Sequence, residues 1–195
     1  MRRSVIERKT NETDISVELV IDGKGNSSID TKCGFLDHML TLFAKHGGFD
    51  LNVSCSGDVN VDFHHTVEDV AICIGQAFRE AAGDKKGINR YASLMLPMDE
   101  ALVLCSCDVS GRGMIVYSAN FQTEKIGDFD VQLIHEFFQS LALNAEITLH
   151  VNELYGENSH HIAEAMFKGT ARVLRKAFET DPRFPGSIPT TKGVL

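Results

Sequence analysis

The chain has 195 residues, of which 43% are hydrophobic and 24% charged, a composition typical of one globular domain. Its formal net charge of −8 argues against a nucleic-acid-binding protein, which usually carries a basic surplus. Five cysteines without a CxxC pair argue against a secreted disulfide scaffold. The first ten residues lack the apolar segment of a signal peptide, and no apolar run is long enough to cross a membrane. We therefore expect a cytoplasmic protein that contacts neither nucleic acid nor membrane.

Strand and helix patterns alternate through the first half of the chain. Residues 12–25 alternate apolar and polar side chains and end in a glycine turn, which predicts a strand. Residues 34–48 place large apolar side chains on one helical face and stop at two glycines. The stretches "FDLNVSCSG" and "DVNVDF" are predicted strands. Residues 64–82 then have the apolar period of an amphipathic helix that begins at a double histidine.

The second half follows the same order. Residues 100–113 predict a strand with a glycine turn, 130–144 a helix, "ITLHV" a strand and 160–178 a helix. Each half is expected to run strand, strand, helix, strand, strand, helix, or close to it.

These patterns predict an α+β fold made of two similar halves, each a small sheet with helices on one face. No proline-rich or serine-rich linker separates the halves, so we expect one domain over residues 1–195. The pseudo-repeats are expected at about 1–92 and 93–183, followed by a C-terminal tail at 184–195.

The two halves align by eye at offsets of between 88 and 98 residues. Glu12 and Glu100 are 88 residues apart, "FDLNV" and "ITLHV" are 98 apart, and the two His-His-x-x-Glu phrases are 96 apart. An offset that drifts with loop length is the mark of an old internal duplication.

The repeated phrase has the spacing of metal ligands. His64 and Glu68 are four residues apart on a helix and share an edge, whereas His65 points about 100° away and is free to serve a second ion. His160, Glu164 and His161 repeat the arrangement. Imidazole and carboxylate donors without cysteine suit Mn, Fe, Co, Ni or Zn. The sequence therefore predicts two metal sites, with ligands exchanged between halves or between subunits.

Each half also offers one further ligand on its first helix. His38 is the histidine inside the first helix, and the 98-residue offset matches it to Glu136, with His135 beside that position. Either side chain has a donor that such a site can use.

Basic residues outside the helix faces are candidate phosphate contacts, because guanidinium and ammonium groups are the usual phosphate partners. They are Arg90, Arg112 and Lys192, together with Lys168 about two turns beyond His160 on the same helix. A metallophosphohydrolase with two ions and a non-catalytic metal-binding shell protein are two functions to which such residues could belong. The shell protein would not explain the basic residues.

Seven motifs together resemble the imidazoleglycerol-phosphate dehydratase family of histidine biosynthesis. They are "GFLDHML", "FHHTVED", "KKGINR", "PMDEAL", "EFFQSLA", "GENSHHIAEA" and "PTTKGVL", and the resemblance runs from about Arg8 to Leu195. It implies a fold like ribosomal protein S5 domain 2 and a 24-subunit shell with active sites at subunit interfaces. It also implies two Mn²⁺ per active site and the dehydration of D-erythro-imidazoleglycerol phosphate to imidazole acetol phosphate.

The resemblance assigns roles by position. The implied metal ligands are His38, His64, His65, Glu68, Glu136, His160, His161 and Glu164. The implied substrate contacts are Glu12, His46, Arg90, Arg112, Lys168, Thr190 and Lys192. Glu12 is the first candidate for moving protons, and the tail is expected to be ordered by the substrate's phosphate.

The chain departs from the family pattern at two places. It reads "HEFF" where many relatives read "EHFF", and both the family match and the internal repeat favour Glu136 over His135 as the ligand. Phe63 precedes the double histidine where the family usually has Asp, which removes a carboxylate able to orient a ligand histidine. We expect this change to tune the site and not to abolish it.

Overall fold

The computed structural model of the chain describes residues 1–193 and 195. The elements of the first half are β1 (Arg3–Lys9), β2 (Thr13–Val20), β3 (Ser27–Asp30), α1 (Gly34–Gly47), β4 (Asp50–Gly57) and α2 (His64–Ala82). Those of the second half are β5 (Tyr91–Met98), β6 (Ala101–Asp108), β7 (Met114–Ser118), β8 (Lys125–Ile126), β9 (Phe129–Asp130), α3 (Gln132–Ala145), β10 (Thr148–Tyr155) and α4 (Ser159–Phe178).

The two halves build sheets of the same topology. The first sheet has the order β1-β2-β4-β3 and the second β5-β6-β10-β7. In each, the last pair of strands is parallel and the other pairs are antiparallel. The small β8–β9 hairpin is inserted in the second half before α3. The predicted internally duplicated α+β fold is confirmed.

The helices of both halves meet between the sheets. Helix α2 covers β1 and β2, α4 covers β5 and β6, and the helices pack across the halves as α2 on α3 and α1 on α4. The inner sheet faces are apolar at alternate positions, as at Val17 and Leu19 in β2, both fully buried. Burial of each large apolar side chain contributes about 1.5–3 kcal/mol. This shared core fixes the helices, and with them the site residues that they carry.

The four predicted helices are confirmed, and α2 has the predicted bounds of 64–82. Helix α1 stops where Gly48 takes a left-handed conformation with φ of 68°, which a glycine adopts without strain. Cys105 and Cys107 lie side by side on the buried face of β6. Within the described residues, no helix combines the length and apolar character needed to cross a membrane.

The predicted order of strands is wrong in two respects. Residues 58–63 are not a strand, because Val61 N–H donates to the Asp58 carbonyl at 2.8 Å and closes a turn. The chain then enters α2 with Asp62 accepting the His64 N–H at 2.7 Å. No predicted strand segment covers β1, β3, β5, β7, β8 or β9. Apart from the β8–β9 hairpin of the second half, each half therefore reads strand, strand, strand, helix, strand, helix.

Candidate active site

The beginnings of three helices meet at one end of the molecule. A cavity of about 510 Å³ lies between the first turn of α1, the residue before α2, the β8–β9 hairpin and the start of α4. Its lining residues are Lys32, Cys33, Gly34, Phe35, His38, Phe63, Ile126, Gly127, Asp128, Phe129 and His160. Both copies of the His-His-x-x-Glu phrase start at this end, because each occupies the first turns of its helix.

His38, His160 and Glu164 form a compact ligand group at the edge of this cavity. Their donor atoms all lie within 4.8 Å of one another. The Nε2 atoms of His38 and His160 are each 3.1 Å from the same carboxylate oxygen, Oε1 of Glu164. Two imidazole nitrogens and one carboxylate oxygen fit a first-row divalent metal ion. His38 reaches the group from α1 because α1 and α4 pack side by side.

Glu164 is held as a carboxylate although it is only 8% exposed. Burial alone would raise its pKa, but the ion pair with Lys168 and the hydrogen bonds from His38 and His160 lower the pKa to about 2. A buried carboxylate that is ionised at neutral pH is ready to bind a cation. Lys168 lies two turns beyond His160, as predicted, and in this chain its ammonium group contacts Glu164.

The group of ligand atoms around the first His-His-x-x-Glu phrase is less complete. His64 Nε2 and Glu68 Oε2 are 3.7 Å apart. Within the described residues, they have no third ligand atom in a group as compact as that of His38.

Glu136 lies near the beginning of α3, the helix that packs on α2. The two helices run side by side with Gly75 against Asn144 and with Arg79 paired to Glu146 at 3.3 Å. Glu136 accepts a hydrogen bond from the Ser140 hydroxyl at 3.4 Å.

His65 and His161 are oriented by carboxylates that the sequence reasoning did not assign to this role. Asp58 accepts a hydrogen bond from Nδ1 of His65 at 3.0 Å, and Glu100 accepts one from Nδ1 of His161 at 2.7 Å. A histidine that donates from Nδ1 keeps Nε2 free for a metal ion. The match between Glu12 and Glu100 was the one signal that could have identified Glu100. Asp58 had no signal.

These hydrogen bonds also set the charge of the groups. The bond to Asp58 raises the pKa of His65, and the bond to Glu100 raises that of His161. The hydrogen bonds from His161 and from the Asn158 N–H lower the pKa of Glu100 to about 2. The orienting carboxylates therefore do not depend on position 63, and Phe63 instead lines the cavity beside His38.

Glu12 lies beside a predicted ligand. Its Oε1 atom is 3.6 Å from Nε2 of His65, and its side chain is 52% exposed. The Glu12 carboxylate is thus close to His65, a predicted metal ligand, and open to an incoming molecule.

His46 occupies the other end of α1. Burial and the positive charges of Lys168 and Arg172 lower its pKa. His46 and Lys168, both predicted substrate contacts, therefore lie near each other.

A second cavity collects four of the predicted substrate contacts. It has a volume of about 480 Å³ and is lined by Arg90, Tyr91, Ser110, Arg112, Pro189, Thr190, Thr191, Lys192 and Leu195. Across the described part of the chain, neither Arg112 nor Lys192 forms an ion pair with a carboxylate. Their charges are free to meet an anion in this cavity.

The tail is fastened to the domain by the chain's own contacts. The Ser187 carbonyl accepts from the Gly87 N–H at 2.7 Å, and the Pro189 carbonyl accepts from Arg90 Nη1 at 2.8 Å. Arg90 also pairs with Asp108 at 2.8 Å. Arg90 therefore positions the tail in addition to lining the cavity.

His161 and the basic cavity lie towards opposite ends of strand β6. Glu100, which holds His161, immediately precedes β6, whereas Asp108, which holds Arg90, ends that strand. The eight residues of β6, Ala101–Asp108, span about 23 Å from first to last at roughly 3.3 Å per residue. A small molecule cannot contact both His161 and the basic cavity of the same chain.

Fold and site together define a class of protein. It is an internally duplicated α+β protein with imidazole and carboxylate groups at its helix beginnings and a basic cavity under its C-terminal tail. Comparison with known proteins then identifies the family.

A family model described as imidazoleglycerol-phosphate dehydratase matches residues 31–174. Curated proteins of that name from Methylorubrum extorquens and Oceanobacillus iheyensis are 56% and 55% identical over 195 residues, which is 100% of this chain and 100% of each relative. The crystal structure of the Staphylococcus aureus dehydratase has a TM-score of 0.84 at 38% identity, covering 92% of this chain and 99% of that one. That of IGPD from Pyrococcus furiosus has a TM-score of 0.84 at 38% identity, covering 97% and 100%.

The chain belongs to the imidazoleglycerol-phosphate dehydratase family. It is accordingly a hydro-lyase of histidine biosynthesis.

Proposed function

We propose that the chain dehydrates D-erythro-imidazoleglycerol phosphate to imidazole acetol phosphate in a reaction that depends on two Mn²⁺ per active site. The observation that carries the proposal is the group of His38, His160 and Glu164, whose donor atoms converge within 4.8 Å. The family identity favours this reaction over phosphate hydrolysis or metal storage, because its members are dehydratases.

The side chains proposed to hold the metal ions are those of both phrases and of the first helix in each half. They are His38, His64, His65, Glu68, Glu136, His160, His161 and Glu164. When bound, Mn²⁺ supplies Lewis acidity and a template for the imidazole ring of the substrate. Asp58 and Glu100 keep the rings of His65 and His161 in the orientation that leaves Nε2 available.

Glu12 is proposed as the group that moves protons. A carboxylate can serve as general acid and base when it lies within reach of the reacting atoms. Glu12 is half-exposed and 3.6 Å from His65, so a substrate beside that histidine would lie within its reach.

The substrate's phosphate is proposed to bind in the basic cavity under the tail. Arg112, Thr190 and Lys192 line this cavity. A guanidinium group and an ammonium group that hold a phosphate fix the orientation of the reacting end. His46 and Lys168 are the remaining proposed contacts, and they lie near the metal ligands.

The active site is proposed to form between subunits. One observation in support is the length of β6, about 23 Å, because Glu100, which holds His161, precedes this strand and Asp108, which holds Arg90 at the basic cavity, ends it. Another is the outer face of the second sheet, where Tyr91, Met95, Met114 and Val116 are exposed. Exposed apolar patches of this kind mark interfaces. A 24-subunit shell is the assembly we propose.

The proposed location is the cytoplasm. All five cysteines are free and buried in the fold, which suits a reducing compartment.

The proposed role of Glu12 is tested by Glu12→Gln in the Mn²⁺-loaded protein, with Glu7→Gln on the exposed face of β1 as the matched control. We expect turnover to fall by about 100-fold or more while Mn²⁺ content and substrate affinity stay unchanged. Unchanged turnover would remove Glu12 from the role. Release of inorganic phosphate instead of dehydration would favour the phosphohydrolase.

A further inference from the structure

A buried polar network lies beneath Glu12. The Asp69 side chain accepts a hydrogen bond from the Thr13 hydroxyl at 2.5 Å, and the same oxygen lies 2.7 Å from Nη1 of Arg8. Thr13 and Asp69 are 3% and 5% exposed. Three polar residues are therefore concentrated at an interface between a sheet and a helix, where apolar packing is the rule.

The network joins the segment that carries Glu12 to the helix that carries the metal ligands. Arg8 is in β1, Thr13 begins β2, and the connection between them holds Glu12. Asp69 is on α2, one turn beyond His65. Asp69 therefore ties both strands of the hairpin to the helix that presents His65.

Hydrogen bonds also order the loop between β1 and β2, which carries Glu12. The Thr10 hydroxyl accepts from the N–H of Glu12 at 3.1 Å and lies 3.3 Å from the Thr13 hydroxyl. The Glu12 carbonyl accepts from the Asp58 N–H at 3.1 Å. Thr13 therefore connects Asp69 to the Glu12 loop, because its hydroxyl contacts both Asp69 and Thr10.

The second half of the chain shows that the fold does not require these polar groups. The strand register pairs Arg8 with Ile15 in the first half and Leu96 with Val103 in the second, so Leu96 is the counterpart of Arg8. By the same 88-residue offset, Ala101 is the counterpart of Thr13.

The glycine contacts confirm this correspondence. A Cβ atom on Gly57 would meet Thr66 and Thr13, and one on Gly156 would meet Ile162 and Ala101. The 96-residue offset between Thr66 and Ile162 also makes Ala165 the counterpart of Asp69. An apolar set of Leu96, Ala101, Ile162 and Ala165 thus stands where the first half has Arg8, Thr13, Thr66 and Asp69.

We infer that Arg8, Thr13 and Asp69 form a positioning network that fixes Glu12 relative to His65. The inference rests on the proposed function of Glu12. None of the three residues is a catalytic residue, and their effect reaches the reaction through the conformation of the Glu12 loop. The half of the chain that carries Glu12 keeps the polar set, and the other half packs the same interface with apolar side chains.

The first test compares Thr13→Val with Thr13→Ser in the assembled, Mn²⁺-loaded protein. Valine keeps the shape of the side chain but removes the hydroxyl, whereas serine keeps the hydroxyl. We expect Thr13→Val to lower kcat by about tenfold to 100-fold with KM within about threefold, because misplacement by an ångström costs about that much. Thr13→Ser should restore most of the lost kcat. Equal kcat for Thr13→Val and the wild type would overturn the inference.

The second test transplants the apolar set by combining Arg8→Leu, Thr13→Ala, Thr66→Ile and Asp69→Ala. We expect this variant to fold, to bind as much Mn²⁺ as the wild type and to lose kcat as Thr13→Val does. Wild-type kcat in this variant would show that the network does not position Glu12. If the combined variant does not fold, the comparison of kcat between Thr13→Val and Thr13→Ser decides whether the inference stands. Absence of dehydration in the wild type would instead refute the proposed function.

Discussion

His135 stacks on Tyr117, with ring centroids 4.7 Å apart and planes at 30°. This contact engages the His135 ring with Tyr117 of the second sheet, while the side chain of its neighbour Glu136 accepts a hydrogen bond from the Ser140 hydroxyl at 3.4 Å. The relationship supports the choice of Glu136 as the ligand.

We predict that Glu136→Gln lowers the affinity for Mn²⁺ and that His135→Gln leaves it unchanged. A carboxylate binds Mn²⁺ more strongly than a neutral amide does. The measurement is the Mn²⁺ content of each variant after equilibration with a competing chelator. Metal loss in His135→Gln and not in Glu136→Gln would reverse the assignment.

Glu100→Gln is predicted to weaken Mn²⁺ binding by about tenfold to 100-fold, because the carboxylate that orients His161 is lost. Asp58→Asn should act in the same way through His65. Chelator competition measures both effects, and the exposed Glu80→Gln, at the far end of α2, is the control. An Mn²⁺ affinity equal to that of the control would show that these carboxylates do not orient the histidines for metal binding.

Arg112→Ala is predicted to raise KM by about tenfold to 100-fold with little change in kcat. A hydrogen bond to a charged group contributes about 1.5–3 kcal/mol, and Arg112 lines the cavity proposed to hold the phosphate, which is not a reacting group of the dehydration. Steady-state kinetics at fixed ionic strength measure the change, with Arg3→Ala on the first sheet as the control. A lower kcat at unchanged KM would place Arg112 at the reacting atoms instead.

The free energy of unfolding of the protein is predicted to depend on pH through Asp50. Hydrogen bonds from the backbone N–H groups of Lys24 and Asn26 lower the pKa of Asp50 below 3.8, its ordinary value. A carboxyl with a lowered folded pKa stabilises the fold above its unfolded pKa, and the contribution is lost as the pH falls through the folded value. We expect Asp50→Asn to cost about 1 kcal/mol at pH 7, after discounting for solvent screening.

Urea unfolding of the wild type and Asp50→Asn between pH 6 and pH 3 measures this contribution. The difference between the two proteins should be constant above about pH 5 and shrink as the pH approaches 3. Asp128→Asn, at the exposed tip of the β8–β9 hairpin, is the control. A difference that does not change with pH would contradict the assignment.

The sequence predicted the helices well because their apolar side chains recur every three to four residues and face one shared core. It failed at residues 58–63, where Val59, Val61 and Phe63 alternate as in a strand. Val61 is 66% exposed, so this alternation did not mark a buried face. Strand β3 was missed because its four residues are largely polar and lie at a sheet edge.

The candidate site was predictable where the chain repeats itself. The duplicated phrase indicated His160 and Glu164, and the offset between halves led from His38 to Glu136. Asp58 and Asp69 could not be found in this way, because their partners lie on other strands and helices and only the folded chain brings them together.

The most direct test of the proposed function begins with a chelator-treated protein. Mn²⁺ is then restored, and dehydration of imidazoleglycerol phosphate is followed before and after. We predict that activity disappears with the metal and returns with Mn²⁺. Full activity in the metal-free protein, or none in an assembled protein loaded with Mn²⁺, would contradict the proposal that the repeated histidine phrases hold a catalytic metal pair.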